Sequence, residues 1–334
     1  MPLLEFSPNG IYCPQGDFYI DPWKPVRTAL ITHAHSDHAR WGSSFYLAHK
    51  RSEAVLRLRL GQDISLTTVE FGQKLTKNGV EVSFHPAGHI IGSAQIRVAY
   101  RGEVWVVSGD YKTRDDGISG AFEPVRCHTF ITESTFGLPV FKWKPQQEVY
   151  EAINRWWQQN RSEGRVSVLC GYALGKAQRL MHGLDASIGR IYAHGAIANT
   201  NEVLESAGLK LPPWQRVETV GNKKDFEGSI VIAPPSAIHT PWMRRFQPYT
   251  TAVASGWMQL RGNKRREAID RGFVLSDHAD WDELLSAIEA TGAERVLVTH
   301  GYTHIFSRYL REEGMDAQAV ETLFEGEQMT AEAE

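Results

Sequence analysis

Cysteine is scarce in this chain: three occur in 334 residues, and Cys13, Cys127 and Cys170 form no CxxC pair. That excludes a disulfide framework and a thiolate zinc site, and it fits buried free thiols in a reducing compartment. No apolar run reaches the ~18–20 residues needed to cross a bilayer. The opening Met1-Pro-Leu-Leu-Glu-Phe lacks the basic start and apolar stretch of a secretory signal, so a cytoplasmic location with no membrane partner is expected. Internal repeats and low-complexity tracts are also missing. What is present is a globular composition, with 42% hydrophobic residues and ten tryptophans. The length suggests two domains, or one large domain carrying an insertion.

An overall charge of −3 does not mark a nucleic-acid binder, but its distribution is uneven. Residues 134–272 hold 19 Lys+Arg against 11 Asp+Glu, a net of +8, and the remainder carries −11. A basic middle within an acidic frame suggests that the middle faces a polyanion. The alternative is a chance split between two solvated surfaces.

Short apolar runs alternate with Gly, Pro and Asp turns in the first third. Strands are expected at Phe18–Ile20, Val26–Ile31, Val80–Phe84, Gln95–Tyr100 and Val104–Val107, with a helix over Ser52–Leu60 capped by Ser52. The middle reads β-α-β: helices over Pro145–Arg161 and Gly175–Ser187, strands at Arg165–Cys170, Ile191–Ala193, Ser229–Ala233 and Thr251–Ala254. It predicts a small α/β domain with a mostly parallel sheet. The first style then returns, with strands at Phe273–Leu275 and Arg295–Thr299 and helices over Trp281–Thr291 and Thr303–Glu312. The tail from Glu325 is polar, and fraying is expected there.

Chemistry concentrates in His33-Ala-His35-Ser-Asp37-His38, which follows the apolar strand end Leu30-Ile-Thr. Histidine and carboxylate suit Zn²⁺, Mn²⁺ or Fe²⁺. His33 and His35 alternate along an extended segment and can point to one side, while Asp37 and His38 turn toward a second position. One metal cannot easily use all four, so two adjacent metals are implied. A polar loop with incidental histidines is the bland alternative. Further candidates sit at other strand ends: His89 in Pro86-Ala-Gly-His, Asp110 after Val104–Val107, and His300 after Val296-Leu-Val-Thr.

The HxHxDH cluster with its later His and Asp resembles the metallo-β-lactamase fold, and Asp21 in Tyr19-Ile-Asp-Pro matches the fold's first motif. Glu133 in Ile131-Thr-Glu-Ser, an inserted middle, and His278 in Ser276-Asp-His-Ala-Asp280 resemble its β-CASP nuclease branch, with His300 matching the last motif. Gly171-Tyr-Ala-Leu-Gly-Lys-Ala-Gln and Leu275-Ser-Asp-His-Ala-Asp-Trp are similar to the bacterial DNA ligase-associated exonucleases. The resemblance implies an α/β fold: an αββα sandwich from residues 1–135 and 270–334, and a nucleic-acid-binding β-CASP domain inserted over 136–269. It implies one metal on His33, His35 and His89, another on Asp37, His38 and His300, and Asp110 between them. Zinc is the first expectation for the pair, manganese or iron the next. The attacking group would be a metal-activated hydroxide. His278 would protonate the leaving oxygen or hold a phosphate oxygen, oriented by Glu133; Asp21 and Asp280 would hydrogen-bond the ligands.

The activity so implied is that of a metal-dependent phosphodiesterase: an exonuclease of single-stranded DNA, 5′ to 3′, in DNA repair, with a functional link to a DNA ligase and helicase. Lys176 and Arg179 at a helix start, Ser236, Arg244-Arg245 and Lys264-Arg-Arg266 are candidate phosphate contacts, and Trp242 and Trp257 candidate stacking residues. His300 also fits RNA-processing members, so an RNA nuclease is the main alternative. A small-ester hydrolase of the same fold would not need Glu133, His278 or a basic insertion. An inactive nucleic-acid-binding scaffold would not need a complete ligand set.

Overall fold

The computed structural model describes residues 2–260, 262–263 and 268–324. Lys264-Arg-Arg266 and the polar tail from Glu325 therefore lie outside the described residues. The described residues divide into two compact units, one of residues 2–142 and 278–324, the other within Trp143–Asp277. These boundaries fall seven to eight residues beyond the 136–269 insertion read from sequence.

The first unit contains two sheets. One runs in spatial order β1 (Glu5–Ser7), β2 (Gly10–Cys13), β3 (Phe18–Ile20), β4 (Thr28–Ile31), β5 (Phe45–His49), β6 (Leu66–Val69). Its first three strands pair antiparallel and the rest parallel. The other contains β7 (Leu75–Lys77), β8 (Val80–Pro86), β9 (Ala94–Tyr100), β10 (Glu103–Val107) and β11 (Thr129–Thr132). The chain then leaves for the second unit, whose sheet holds β12 (Val166–Cys170), β13 (Ile191–Ala193), β14 (Gln215–Arg216), β15 (Ile230–Ala233), β16 (Tyr249–Ala254) and β17 (Arg271–Phe273). It returns to add β18 (Arg295–Val298) beside β11, and β19 (Asp316–Ala319) beside β18 at the edge.

Side-chain alternation explains the layering. Trp105 and Val107 of β10 join Phe18, Ile20, Leu30, Val82, Phe84 and Ile96 in one buried cluster drawn from both sheets. Val106 faces the other way, joining Phe130, Val296 and Val298 against Trp281, Leu284, Phe306 and Leu310 of the helices Trp281–Thr291 and Thr303–Glu312. Strands covered on both faces need apolar residues at consecutive positions, which is why β18 reads Val-Leu-Val.

In the second unit every pairing is parallel, in the order β14-β13-β15-β12-β16-β17. One face packs against the helices Gln146–Ser162, Lys176–His182 and Gly195–Ser206, and the other against Phe226, Met243 and Phe246. Three local expectations need correction. Ser52 does not cap its helix through its side chain; its hydroxyl donates to Gly92 O (2.8 Å). Pro145 stands at the N-cap and the helix begins at Gln146. The helix expected to reach Ser187 stops at His182, because Asp185 opens a turn by accepting from Ser187 N–H (2.9 Å).

Candidate metal centre

Each candidate ligand leaves the end of a different strand of the first unit. β4 delivers His33 to His38, β8 leads to His89, β10 to Asp110, β11 to Glu133 and β18 to His300. The His33–His38 loop is shaped by Asp21, which follows β3. Asp21 accepts from the Thr32 N–H (2.8 Å) and hydroxyl (2.5 Å), and its Oδ2 lies 2.7 Å from His38 Nδ1. That bond leaves Nε2 of His38 as the nitrogen aimed into the cluster. Asp21 (φ 42°) and His300 (φ 54°) both occupy the left-handed region, which non-glycine residues rarely adopt. Ser134 Oγ donates to His300 O (2.5 Å), holding that backbone in place.

Two groups form. His33, His35, His89 and Asp110 bring candidate ligand atoms within 4.8 Å of one another, and so do Asp37, His38 and His300. Asp110 stands between them: its Oδ2 is 3.5 Å from His33 Nε2, 3.6 Å from His38 Nε2 and 3.8 Å from His89 Nε2, and its Oδ1 is 3.7 Å from His300 Nε2. All are buried except His35 and Asp37, which are half-buried. A third group joins Asp110 to Glu133 and His278. Glu133 lies 2.9 Å from His278 Nδ1 and accepts from the N–H groups of Tyr111 (2.8 Å) and Thr135 (3.3 Å).

Burial and mutual proximity move several of these groups away from their ordinary titration ranges. Burial and the neighbouring charged His38 push His300 down to about 3. Burial disfavours charge on His38, yet Asp37, Asp110 and Asp21 outweigh it and hold the ring protonated up to about 10. Burial, with Glu133 and Asp37 nearby, pushes Asp110 up to about 7 against the opposing charges of His38 and His278. Burial alone would raise Glu133, but His278 and the hydrogen bonds it accepts hold its carboxyl below the usual range.

The residues present fit divalent metals. Nε2 of His33 and Oδ1 of Asp110 are buried with no hydrogen-bond partner among the described residues. Nε2 of His89 is 3.1 Å from Nδ1 of His35, and the Nε2 atoms of His38 and His300 are 3.2 Å apart. Two imidazole nitrogens sharing one tetrahedral cation stand roughly 3.3 Å apart. Mixed His/Asp donors suit zinc, manganese or iron.

Other expected site residues have different placements. Lys176 and Arg179 are 0% and 2% exposed, so they do not offer their charge at a surface. Both pair with Asp277 (3.6 and 3.5 Å), and Arg179 also donates to Ser276 O and to Gln146 Oε1 (2.8 Å). A buried cation requires such partners, and Asp277 supplies the countercharge. Asp280 is the N-cap of Trp281–Thr291, accepting from Glu283 N–H (2.9 Å), and carries Arg114 at 3.4 Å. Ser236 is exposed on a short 3₁₀ turn, Arg244 is exposed, and Arg245 lies over the ring of Trp242 (5.6 Å). Trp242 packs edge-on against Phe246 and His194. Trp257 is half-buried at a 3₁₀ turn.

Sequence reading missed Thr32, which joins Asp21 to His33, and the Tyr111 N–H on Glu133. Thr32 had a signal in its position directly before the cluster. It also missed Phe324, whose ring lies parallel to His38 and His300, and for which no local pattern exists.

The fold recurs in a crystal structure titled a protein of unknown function from Enterococcus faecalis, with a TM-score of 0.60 over 90% of this chain and 80% of that one at 12% identity. The resemblance to the metallo-β-lactamase superfamily carried by the motifs is supported by curated relatives. A protein of Opitutus terrae named probable DNA ligase is 32% identical over 321 residues, covering 95% of this chain and 31% of its own. Endoribonuclease YSH1 of Kluyveromyces lactis is 28% identical over 73% of this chain and 39% of its own, and cleavage and polyadenylation specificity factor subunit 3 of Dictyostelium discoideum is 30% identical over 40% and 18%. The chain thus spans about a third of the length of the first and far less than two thirds of the others. No family model matches the sequence. No described helix is long and apolar enough to cross a membrane.

Proposed function

We propose that this chain is a metal-dependent nuclease of the β-CASP branch, an exonuclease that degrades single-stranded DNA from the 5′ end in cytoplasmic DNA repair. The observation that carries this reading is the buried Glu133–His278 pair beside Asp110. Small-ester hydrolysis needs the metal cluster but no such imidazole; a phosphodiester, with its poor leaving group, benefits from one.

Two divalent cations, zinc foremost, would supply Lewis acidity and lower the pKa of a bound water. His33, His35 and His89 would hold one, Asp37, His38 and His300 the other, with Asp110 between. Glu133 fixes the His278 ring through Nδ1 and favours its charged form, leaving Nε2 to donate a proton to the leaving oxygen or a hydrogen bond to phosphate. Asp21 orients His38. The basic residues of the inserted unit, among them Arg244 and Arg245, are the proposed nucleic-acid side. The match over 95% of this chain to a protein named probable DNA ligase supports a functional link to ligation.

RNA is the second reading, favoured by the relatives named endoribonuclease YSH1 and by His300. Single strands of DNA and of RNA, each 5′-labelled, distinguish the two when incubated side by side with the metal-loaded protein. Mononucleotides released first from the DNA strand are expected; faster cleavage of RNA overturns the sugar assignment. His278→Ala should keep its metals by elemental analysis and lose about 100-fold or more in turnover. Retained turnover would remove His278 from the chemistry.

A further inference from the structure

β19 does not end the first unit. Val320 N–H continues its pairing to Val298 O (2.9 Å), and residues 320–324 then form a strap back to the metal loop. Arg40 ties the two together, donating from Nη2 to Leu323 O (3.3 Å) and from Nε to Asp37 O (3.5 Å). The strap delivers Phe324, whose ring lies parallel to His38 (4.5 Å, 9°) and to His300 (4.6 Å, 4°), while Trp23 meets it edge-on (5.5 Å, 88°). We propose that Phe324 is a positioning residue for one half of the metal centre: it sets the ring planes of His38 and His300 so that their Nε2 atoms converge on a single divalent cation. This rests on the two-metal reading above.

The two rings need such a wall. Asp21 fixes one nitrogen of His38 but does not by itself stop the ring from turning about that bond. His300 has a weaker anchor, Thr299 Oγ1 at 3.3 Å, on a backbone in the left-handed region. A flat apolar surface against both rings removes this freedom. The other half is braced differently: His33, His35 and His89 pack against one another edge-on at 4.8–4.9 Å without touching Phe324, and His33 alone also meets His38, at 4.1 Å. The effect should therefore fall first on the cation that His38 and His300 would hold.

Calorimetric titration of the metal-free 334-residue chain with Zn²⁺ or Co²⁺ tests this. Wild type should bind two equivalents. Phe324→Ala should bind one equivalent unchanged and the other about tenfold more weakly, from the loss of two aromatic contacts. Phe324→Tyr should restore it. A parallel thermal melt of each metal-free variant reports folding. If Phe324→Ala binds both equivalents as wild type does, or loses both alike, the inference is overturned while the two-metal reading stands. Wild type that takes up no metal overturns both.

Discussion

Asp110 stands within 4 Å of candidate ligands of both groups, Oδ2 near His33, His89 and His38 and Oδ1 near His300, and is itself 3% exposed. Asp110→Ala should strip or disorder both cations while the chain stays folded, and elemental analysis of the purified variant checks this; two retained equivalents would end its bridging role. That these candidate ligands cluster was legible because their chemistry is rare. Four donors in six positions have few packing explanations, and His89, Asp110 and His300 each follow an apolar strand. Lys176 and Arg179 were misread for the converse reason. Their countercharge, Asp277, lies about a hundred positions away, and nothing local shows that a cation will be buried.

Among the elements, strands buried on both faces were legible where apolar residues run consecutively, as in β10 and β18, whereas β11, with Thr at both ends of Phe-Ile, was not read. The edge strands β1 and β7 and the helix Gly195–Ser206 were not seen, because short, half-exposed or weakly patterned segments acquire their structure from neighbours. Glycines bring the strand-end loops together. Gly301 (φ 68°) has Ser134 O 2.4 Å from where a Cβ would sit, so only glycine allows the His300 loop to close on Glu133-Ser134. At the end of β5, His49 stacks on Phe71 at 3.5 Å, and burial with the charges of Arg51 and Lys50, opposed by Glu70, pushes it down to about 4. The unfolded chain binds a proton there below about 6.5 and the folded chain only below about 4. Stability is therefore fully present above that window and falls as pH drops through it. Denaturant melts of His49→Phe should lose less stability than wild type between pH 6.5 and 4; parallel curves would show that His49 does not titrate in that range.

For the whole molecule, charge was legible at coarse grain only. The net of +8 over residues 134–272 marks the inserted unit, but burial of Lys176 and Arg179 and the stacking of Arg245 on Trp242 decide how much of it faces outward. If that surface tracks a nucleic-acid backbone, affinity for single-stranded DNA must fall as salt rises, with log K against log [salt] sloping at about −0.7 per phosphate contacted. A flat line in a filter-binding or anisotropy series would remove the insertion from the interface. The order in which the centre is made also matters. His38 and His300 meet across 262 positions, and Glu133 meets His278 across 145. A growing chain therefore presents His33, His35, His89 and Asp110 together before His278 and His300 can complete the other groups. Any cation taken up during synthesis would therefore meet the first group before the second exists.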